Sequence, residues 1–264
     1  MSMIEVINRR TWKNPLSVRY YRIHSGYVDE GEREVFEILR ALPKRPRVLD
    51  IGVGGGRTTA LFDEIADDYV GIDYTPEMVD LARANHPGLT FRNMDARDLG
   101  AFADASFDVA MFSFNGIDSV DHAGRLDVLR EVSRVLAPGG LFVFSTFHSE
   151  WEGFRNRRYR RTILSANPFK IAARLVWYGL GMIRARRNRR HEHRGETHAI
   201  LRHFAHDYGI MVHATTPAAI RSELSQAGFD AEVRIFDENG RPIDETSPLD
   251  HIQYFHVVCR KPAV

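Results

Sequence analysis

At 264 residues, with 44% hydrophobic and 27% charged side chains, the chain has the size that folds around one hydrophobic core with an elaboration. A single cysteine, Cys259, excludes a disulfide framework within the chain and a multi-cysteine zinc site. The net charge of +1 conceals a division: residues 155–194 hold 13 Lys or Arg against one acid, Glu192, a segment charge of +12 that leaves the remainder at −11.

Val35, Phe36, Ile38, Leu39 and Leu42 recur at helical spacing before Pro43 ends the run. Residues 47–52 form a short apolar stretch without polar alternation, the pattern of a strand buried on both faces, and it opens directly into glycines. Similar runs follow at 68–74, 89–95, 107–114 and 141–147, most of them separated by helical patterns. In one of these Thr75 caps a helix with Pro76 at its first position and Met78, Leu81 and Ala82 on one face. In another, Leu126, Leu129, Val132, Val135 and Leu136 form a stripe that stops at Pro138-Gly139-Gly140. Such alternation predicts a parallel sheet with right-handed crossovers and helices on both faces.

From residue 151 to 212 the rhythm gives way to a basic and aromatic stretch, read as an insertion. Thr216, Pro217, Ile220, Leu224 and Gly228 mark a last helix, and strands over 231–236 and 253–260 close the chain. The expected organisation is an N-terminal helical lid segment at 1–45, an α/β core at 46–150, a lid insertion at 151–212 and a closing segment at 213–264. No stretch reaches the roughly 20 apolar residues of a membrane-spanning helix. With no charged-then-apolar leader in view, the expected compartment is the cytoplasm.

The chemistry begins where the first strand meets Gly52-Val53-Gly54-Gly55-Gly56. A strand that ends in glycines and passes into a helix aims backbone N–H groups at the crevice beyond the sheet, and a ligand can lie close against atoms that carry no side chain. The next strand ends at Asp73, 23 residues after Asp50, where a carboxylate accepts hydrogen bonds from both hydroxyls of an adenosine ribose. The third ends at Met94-Asp95-Ala96, with another acid beside the same crevice; a plain loop-capping role stays open for it.

With these residues the sequence resembles the class I S-adenosylmethionine-dependent methyltransferase family. Asp50-Ile51-Gly52-Val53-Gly54-Gly55-Gly56 fits that family's acid-x-Gly-x-Gly-x-Gly turn, Val70-Gly71-Ile72-Asp73 its ribose-binding strand, and Asp95 its adenine-contacting acid. Phe107-Asp108-Val109 and Leu136-Ala137-Pro138-Gly139-Gly140-Leu141 extend the match over about residues 46–148. The resemblance implies a doubly wound, Rossmann-like α/β sheet of seven strands, mostly parallel with an antiparallel last strand, carrying an α-helical lid insertion. It implies S-adenosylmethionine as cofactor and S-adenosylhomocysteine as product. Gly52 and Gly54 would pass the methionine moiety, Asp73 hold the ribose, Tyr74 and Met78 flank the adenine, and Asp95-Ala96 meet its edge, with Asp50 and Phe114 completing the cofactor set. An NAD-dependent oxidoreductase is the nearest alternative, but its Gly-x-Gly-x-x-Gly fingerprint meets Arg57 at the sixth position.

Methyl transfer from a sulfonium is an in-line displacement, and a general base is needed only for a protonated acceptor. The fourth strand runs out into Phe114-Asn115-Gly116-Ile117-Asp118, without the Asn-Pro-Pro-aromatic motif of relatives that methylate adenine or glutamine. The expected acceptor is a small molecule methylated on O or N. His148, just after the fifth strand, is the first candidate base, followed by Asp118 and His122, although caps and solvated groups at these places remain open. Tyr20, Tyr21 and His24 of an N-terminal cover, with Asn115, Tyr208 and His213, are candidate acceptor contacts. No metal is expected: His191-x-His193 sits within a run of arginines without supporting carboxylates.

Three readings of the insertion compete. It can be a helical lid whose apolar face, Ile171, Leu175, Tyr178 and Met182, covers the pocket while its arginines are solvated. Its arginines can select an anionic acceptor. It can rest on an anionic membrane surface, or bind nucleic acid, the less expected partner. A non-catalytic protein that binds S-adenosylmethionine or an anion is the remaining alternative.

Overall fold

The computed structural model describes residues 2–15, 17, 27–156, 166–229, 232–244 and 247–263. Tyr20, Tyr21 and His24 lie outside the described residues, as does Tyr159 of the insertion. In chain order the elements are α1 (Met3–Trp12), α2 (Glu30–Arg40), β1 (Arg47–Ile51), α3 (Thr59–Ile65), β2 (Asp68–Asp73), α4 (Pro76–Asn85), β3 (Thr90–Asn93), β4 (Phe107–Phe112), a 3₁₀ turn (Gly116–Ser119), α5 (His122–Val135) and β5 (Leu136–His148). Then come α6 (Gly153–Asn156), α7 (Pro168–Arg189), β6 (His193–Arg194), β7 (His198–His203), α8 (Ala205–Tyr208), β8 (Ile210–Thr215), α9 (Pro217–Gln226), β9 (Val233–Asp237) and β10 (Tyr254–Arg260).

Seven strands form the expected sheet. β3, β2, β1, β4 and β5 pair in parallel in that order, and β10 lies antiparallel between β5 and β9. The strands are apolar on both faces because both are covered. Leu49, Ile51, Ile72 and Phe144 pack with Val132 of α5 and Leu224 of α9 on one side. Val48, Val109, Met111 and Val143 pack with Phe36 and Leu39 of α2 and Phe62 of α3 on the other. Residues 35–39 thus belong to the core, which differs from their expected place in an N-terminal lid. Asp29 caps α2, its carboxylate accepting from the Glu32 N–H at 2.7 Å.

The insertion differs from the helical lid expected. After α7 the chain forms an antiparallel ladder, β6–β7–β8, and β8 joins β5 in parallel at Phe147↔Ala214 and His148↔Thr215, which makes a sheet of ten strands among the described residues. The alternating burial of β7, with Ala199, Leu201 and His203 turned inward, reflects a ladder covered on one face. Phe147, Leu201, Ile210 and Val212 form a separate apolar cluster under it, joined by Trp12 of α1 and Phe154. The sequence boundary at 212/213 therefore falls inside β8. Among the described residues no helix is long and apolar enough to cross a membrane.

Candidate active site

The carboxyl ends of the parallel strands open into a cleft of about 1350 Å³, floored by the glycine turn and roofed by α1, α7 and the segment between β7 and β8. The turn is held from below. Val53 N–H donates to Ile72 O at 3.0 Å, so the end of β1 is tied to β2. Gly52, Gly54 and Gly56 have φ of +65°, +56° and +84°, a region that costs a β-carbon-bearing residue energy. A β-carbon at Gly52 would strike the Phe112 ring at 2.5 Å, whereas one at Gly54 would meet nothing within 4 Å, because that face looks into the cleft. Arg57, just beyond the turn, donates to both carboxylate oxygens of Glu32 at 2.6 Å, which locks the turn to α2.

Asp73 closes this end of the cleft. Its Oδ2 accepts from Gly54 N–H at 3.0 Å and its Oδ1 from Thr75 N–H at 2.8 Å. Burial pushes its pKa up to about 6, against the pull of the two N–H groups. Tyr74 and Met78 line the cleft beside it, with Arg9 of α1 seated over the Tyr74 ring at 4.5 Å. Gly52, Gly54, Asp73, Tyr74, Met78 and Phe114 are thus brought together on one wall. They suit S-adenosylmethionine: a carboxylate with remaining acceptor capacity for a diol, beside a turn whose open side admits close approach.

Three expected cofactor contacts lie elsewhere. Asp50 is fully buried beneath the turn and outside the cleft lining, accepting from Tyr69 at 2.8 Å and Thr58 at 3.2 Å. Burial raises its pKa to about 7. Its side chain leaves β1 on the α3 face, so it shapes the turn rather than reaching the ligand space. Asp95 is engaged by Arg97, which donates from Nε at 3.0 Å and from its second terminal nitrogen at 2.7 Å, and by Arg9 at 3.4 Å. Burial works to raise the Asp95 pKa, but these hydrogen bonds carry it below the ordinary carboxylate value. Ala96 packs into the core. Neither lines the cleft.

Just beyond β4, Phe114 and Asn115 both hold positive φ, 51° and 58°, with Asn115 N–H donating to Ser145 Oγ at 2.7 Å. Strain of this kind persists where surrounding structure enforces it, often at ligand sites. The Asn115 side-chain oxygen lines the cleft region buried and without a hydrogen-bond partner. A second run of positive φ, at His206, Asp207 and Tyr208, forms part of the roof. His203 and His206 line the cleft there, with Trp12, Phe147, Phe204 and Tyr254. Burial lowers the His206 pKa, which favours its neutral form at pH 7, and Ser17 Oγ lies 3.3 Å from its Nδ1. His203 Nδ1 accepts from Ala205 N–H at 3.2 Å.

The three expected catalytic side chains are not in this lining. His148 is 1% exposed, because strand alternation turns Phe147 into the cleft and His148 to the other face. Asp118 is fully buried, accepting from Arg125 at 2.6 Å, Thr146 at 2.8 Å and Phe147 N–H at 2.7 Å. It braces the ends of β4 and β5. His122 and His213 lie together behind β8, away from the cleft. Tyr208 is also outside the lining, its ring facing Arg202. Of the acceptor contacts expected among the described residues, Asn115 alone reaches the cleft. The lid helix presents Trp177, Leu180, Arg184 and Arg187 to the cleft, a face rotated from the expected one of Ile171, Leu175, Tyr178 and Met182. His206 carries no sequence signal beyond its place in a polar and aromatic cluster with Asp207, Tyr208 and His213, and His203, Asn8 and Trp12 carry none.

Residues 48–140 match the methyltransferase domain family model. The chain is similar to the ubiquinone biosynthesis O-methyltransferase of Cereibacter sphaeroides, 38% identical over 113 residues, 41% of this chain and 44% of that protein. It is similar also to the demethylmenaquinone methyltransferase of Renibacterium salmoninarum, 32% identical over 144 residues, 54% and 58% of the two chains. These matches span about half the length of the relatives. Among solved structures, the Burkholderia thailandensis 1,6-didemethyltoxoflavin-N1-methyltransferase, bound to S-adenosylhomocysteine, superposes with a TM-score of 0.57 at 17% identity, over 97% of this chain and 88% of that one. A Mesorhizobium loti S-adenosylmethionine-dependent methyltransferase gives 0.57 at 24% identity, over 88% and 98%. The structural likenesses speak for the fold, the family-model match falls on the glycine turn and the strands that floor the cleft, and residues 48–140 are those of a methyltransferase domain.

Proposed function

We propose that the protein transfers the methyl group of S-adenosylmethionine to an oxygen or nitrogen of a small, partly apolar acceptor held under the lid. One observation carries this reading: the cleft is continuous from Gly54 and Asp73 to a compartment walled by Trp12, Phe147, Phe204 and His206. An in-line displacement needs that arrangement, with the acceptor behind the methyl and water excluded. A hydroxylated aromatic ring suits the compartment, and the names of the two curated relatives, which concern quinone biosynthesis, are in keeping with it.

His206 rather than His148 is the residue suited to take the acceptor proton, since it combines a place in the lining with a neutral imidazole. Arg184, Arg187 and Arg190 at the mouth favour an acceptor that carries an anionic group or enters from an anionic surface. Incubation with S-adenosylmethionine and a panel of hydroxylated aromatic acids and quinols, followed by measurement of S-adenosylhomocysteine, tests the proposal. Turnover with at least one such acceptor is expected. Tight cofactor binding with no turnover across oxygen and nitrogen acceptors would favour a binding protein instead.

A further inference from the structure

Behind β8, away from the cleft, His122 at the start of α5, His198 on β7 and His213 on β8 stack as three nearly parallel rings. Their centroids are 3.9 Å (His122 to His198), 5.2 Å (His198 to His213) and 5.4 Å (His122 to His213) apart, with interplanar angles of 6° to 9°. Each offers a ring nitrogen, and those nitrogens all lie within 4.8 Å of one another. We propose that His122, His198 and His213, with Glu223 of α9, bind one divalent transition-metal ion of the zinc class and thereby clamp the lid ladder to the core.

The spacing fits. Zinc–nitrogen bonds of about 2.0–2.1 Å in a tetrahedron set ligand atoms roughly 3.4 Å apart, and His122 Nδ1 lies 3.2 Å from His213 Nε2. Glu223 supplies the oxygen. Its Oε2 accepts from Arg125 at 2.9 Å, while its Oε1 is buried without a hydrogen-bond partner, 3.9 Å from His122 Nδ1. On the far side, His213 Nδ1 is buried without a hydrogen-bond partner, 3.9 Å from Asp118 Oδ1, which places a carboxylate beside the imidazole of the kind that orients metal-bound histidines.

Arg125, fully buried, bonds both Asp118 and Glu223 and so holds the two carboxylates beside the imidazoles. The His122 side chain is 29% exposed and His198 is partly exposed, so an ion has a path in from solvent. Imidazole with one carboxylate suits zinc, cobalt, nickel and copper rather than magnesium or calcium. Because the His122 and His198 rings are parallel, the partly exposed His198 ring, which Thr197 Oγ1 meets at 3.2 Å, must rotate to aim its nitrogen at the ion.

The test uses untagged full-length protein, stripped with a chelator, and titrates Zn²⁺ by calorimetry and Co²⁺ by visible absorption. One equivalent of Zn²⁺ should bind with sub-micromolar Kd, and Co²⁺ should give an intense tetrahedral spectrum. His198→Ala and His122→Ala, at the partly exposed positions, should weaken binding at least about 100-fold, while circular dichroism shows the metal-free fold retained. His191→Ala/His193→Ala should leave it unchanged. Absence of a stoichiometric site, binding that survives His198→Ala and His122→Ala, or binding lost with the His191/His193 pair would overturn the proposal and leave a histidine stack that shares a proton.

Discussion

Asn8 and Met211, 203 residues apart, exchange a closed pair of hydrogen bonds: Asn8 Nδ2 donates to Met211 O at 2.8 Å, and Met211 N–H donates to Asn8 Oδ1 at 2.9 Å. The same carboxamide donates to Ser119 O at 3.1 Å. Helix α1 is in this way fixed to β8 and to the turn after β4, so the roof of the cleft joins the first helix to strands far along the chain. Replacing Asn8 by Ala leaves buried main-chain groups of Met211 unpaired, at about 1–3 kcal/mol each. Asn8→Ala should cost about 2–4 kcal/mol of stability in urea unfolding and raise the acceptor KM more than it weakens the cofactor.

Cofactor affinity should depend on pH through Asp73. Only its ionised carboxylate accepts from both ribose hydroxyls, and burial sets its pKa near 6. The group is therefore ionised above pH 6 and protonated below. Calorimetry with S-adenosylhomocysteine should show level affinity from pH 7 to 8 and a loss approaching tenfold per unit below about pH 6.

Asp50 gives the opposite kind of linkage, one of stability. Burial raises its folded pKa to about 7, above the roughly 3.9 of an unfolded Asp. The folded state therefore holds the proton more tightly, and its stabilising contribution, full below about pH 4, is lost as pH rises to 7. Asp50→Asn removes this titration. Its melting temperature relative to the parent should be more favourable at pH 8 than at pH 5, by the equivalent of about 2 kcal/mol.

His206→Gln should lower kcat by about 10²-fold or more while S-adenosylhomocysteine affinity stays the same. In the parent, with S-adenosylmethionine saturating at every pH so that Asp73 does not contribute, the acid limb of kcat/KM for the acceptor should fall below pH 6.5, the ordinary histidine value from which burial lowers His206, and it should vanish in the variant. His148→Gln should leave turnover unaltered. The reverse pattern would return the base to the end of β5.

Much of the cofactor side was legible because its signals are local. A buried strand running into Gly52 and a second ending at Asp73 need only the parallel-sheet pattern to bring them together, and they meet as the N–H of Gly54 on the carboxylate of Asp73. The acceptor side depends on features that spacing along the chain does not encode. Strand parity decides that Phe147, not His148, looks into the cleft. Arg97, two residues after Asp95, engages the carboxylate that the sequence offers for adenine. Long-range pairing brings His122, His198 and His213 together from three elements, whereas the pair visible in the sequence, His191 and His193, does not enter that group among the described residues.

The central claim, that the cleft binds S-adenosylmethionine through Asp73, is tested most directly by titrating S-adenosylhomocysteine into the parent and Asp73→Ala proteins at pH 7.5 by calorimetry. The account predicts a loss of about 1–3 kcal/mol in binding free energy with an intact fold. Equal affinity in the two proteins would contradict it.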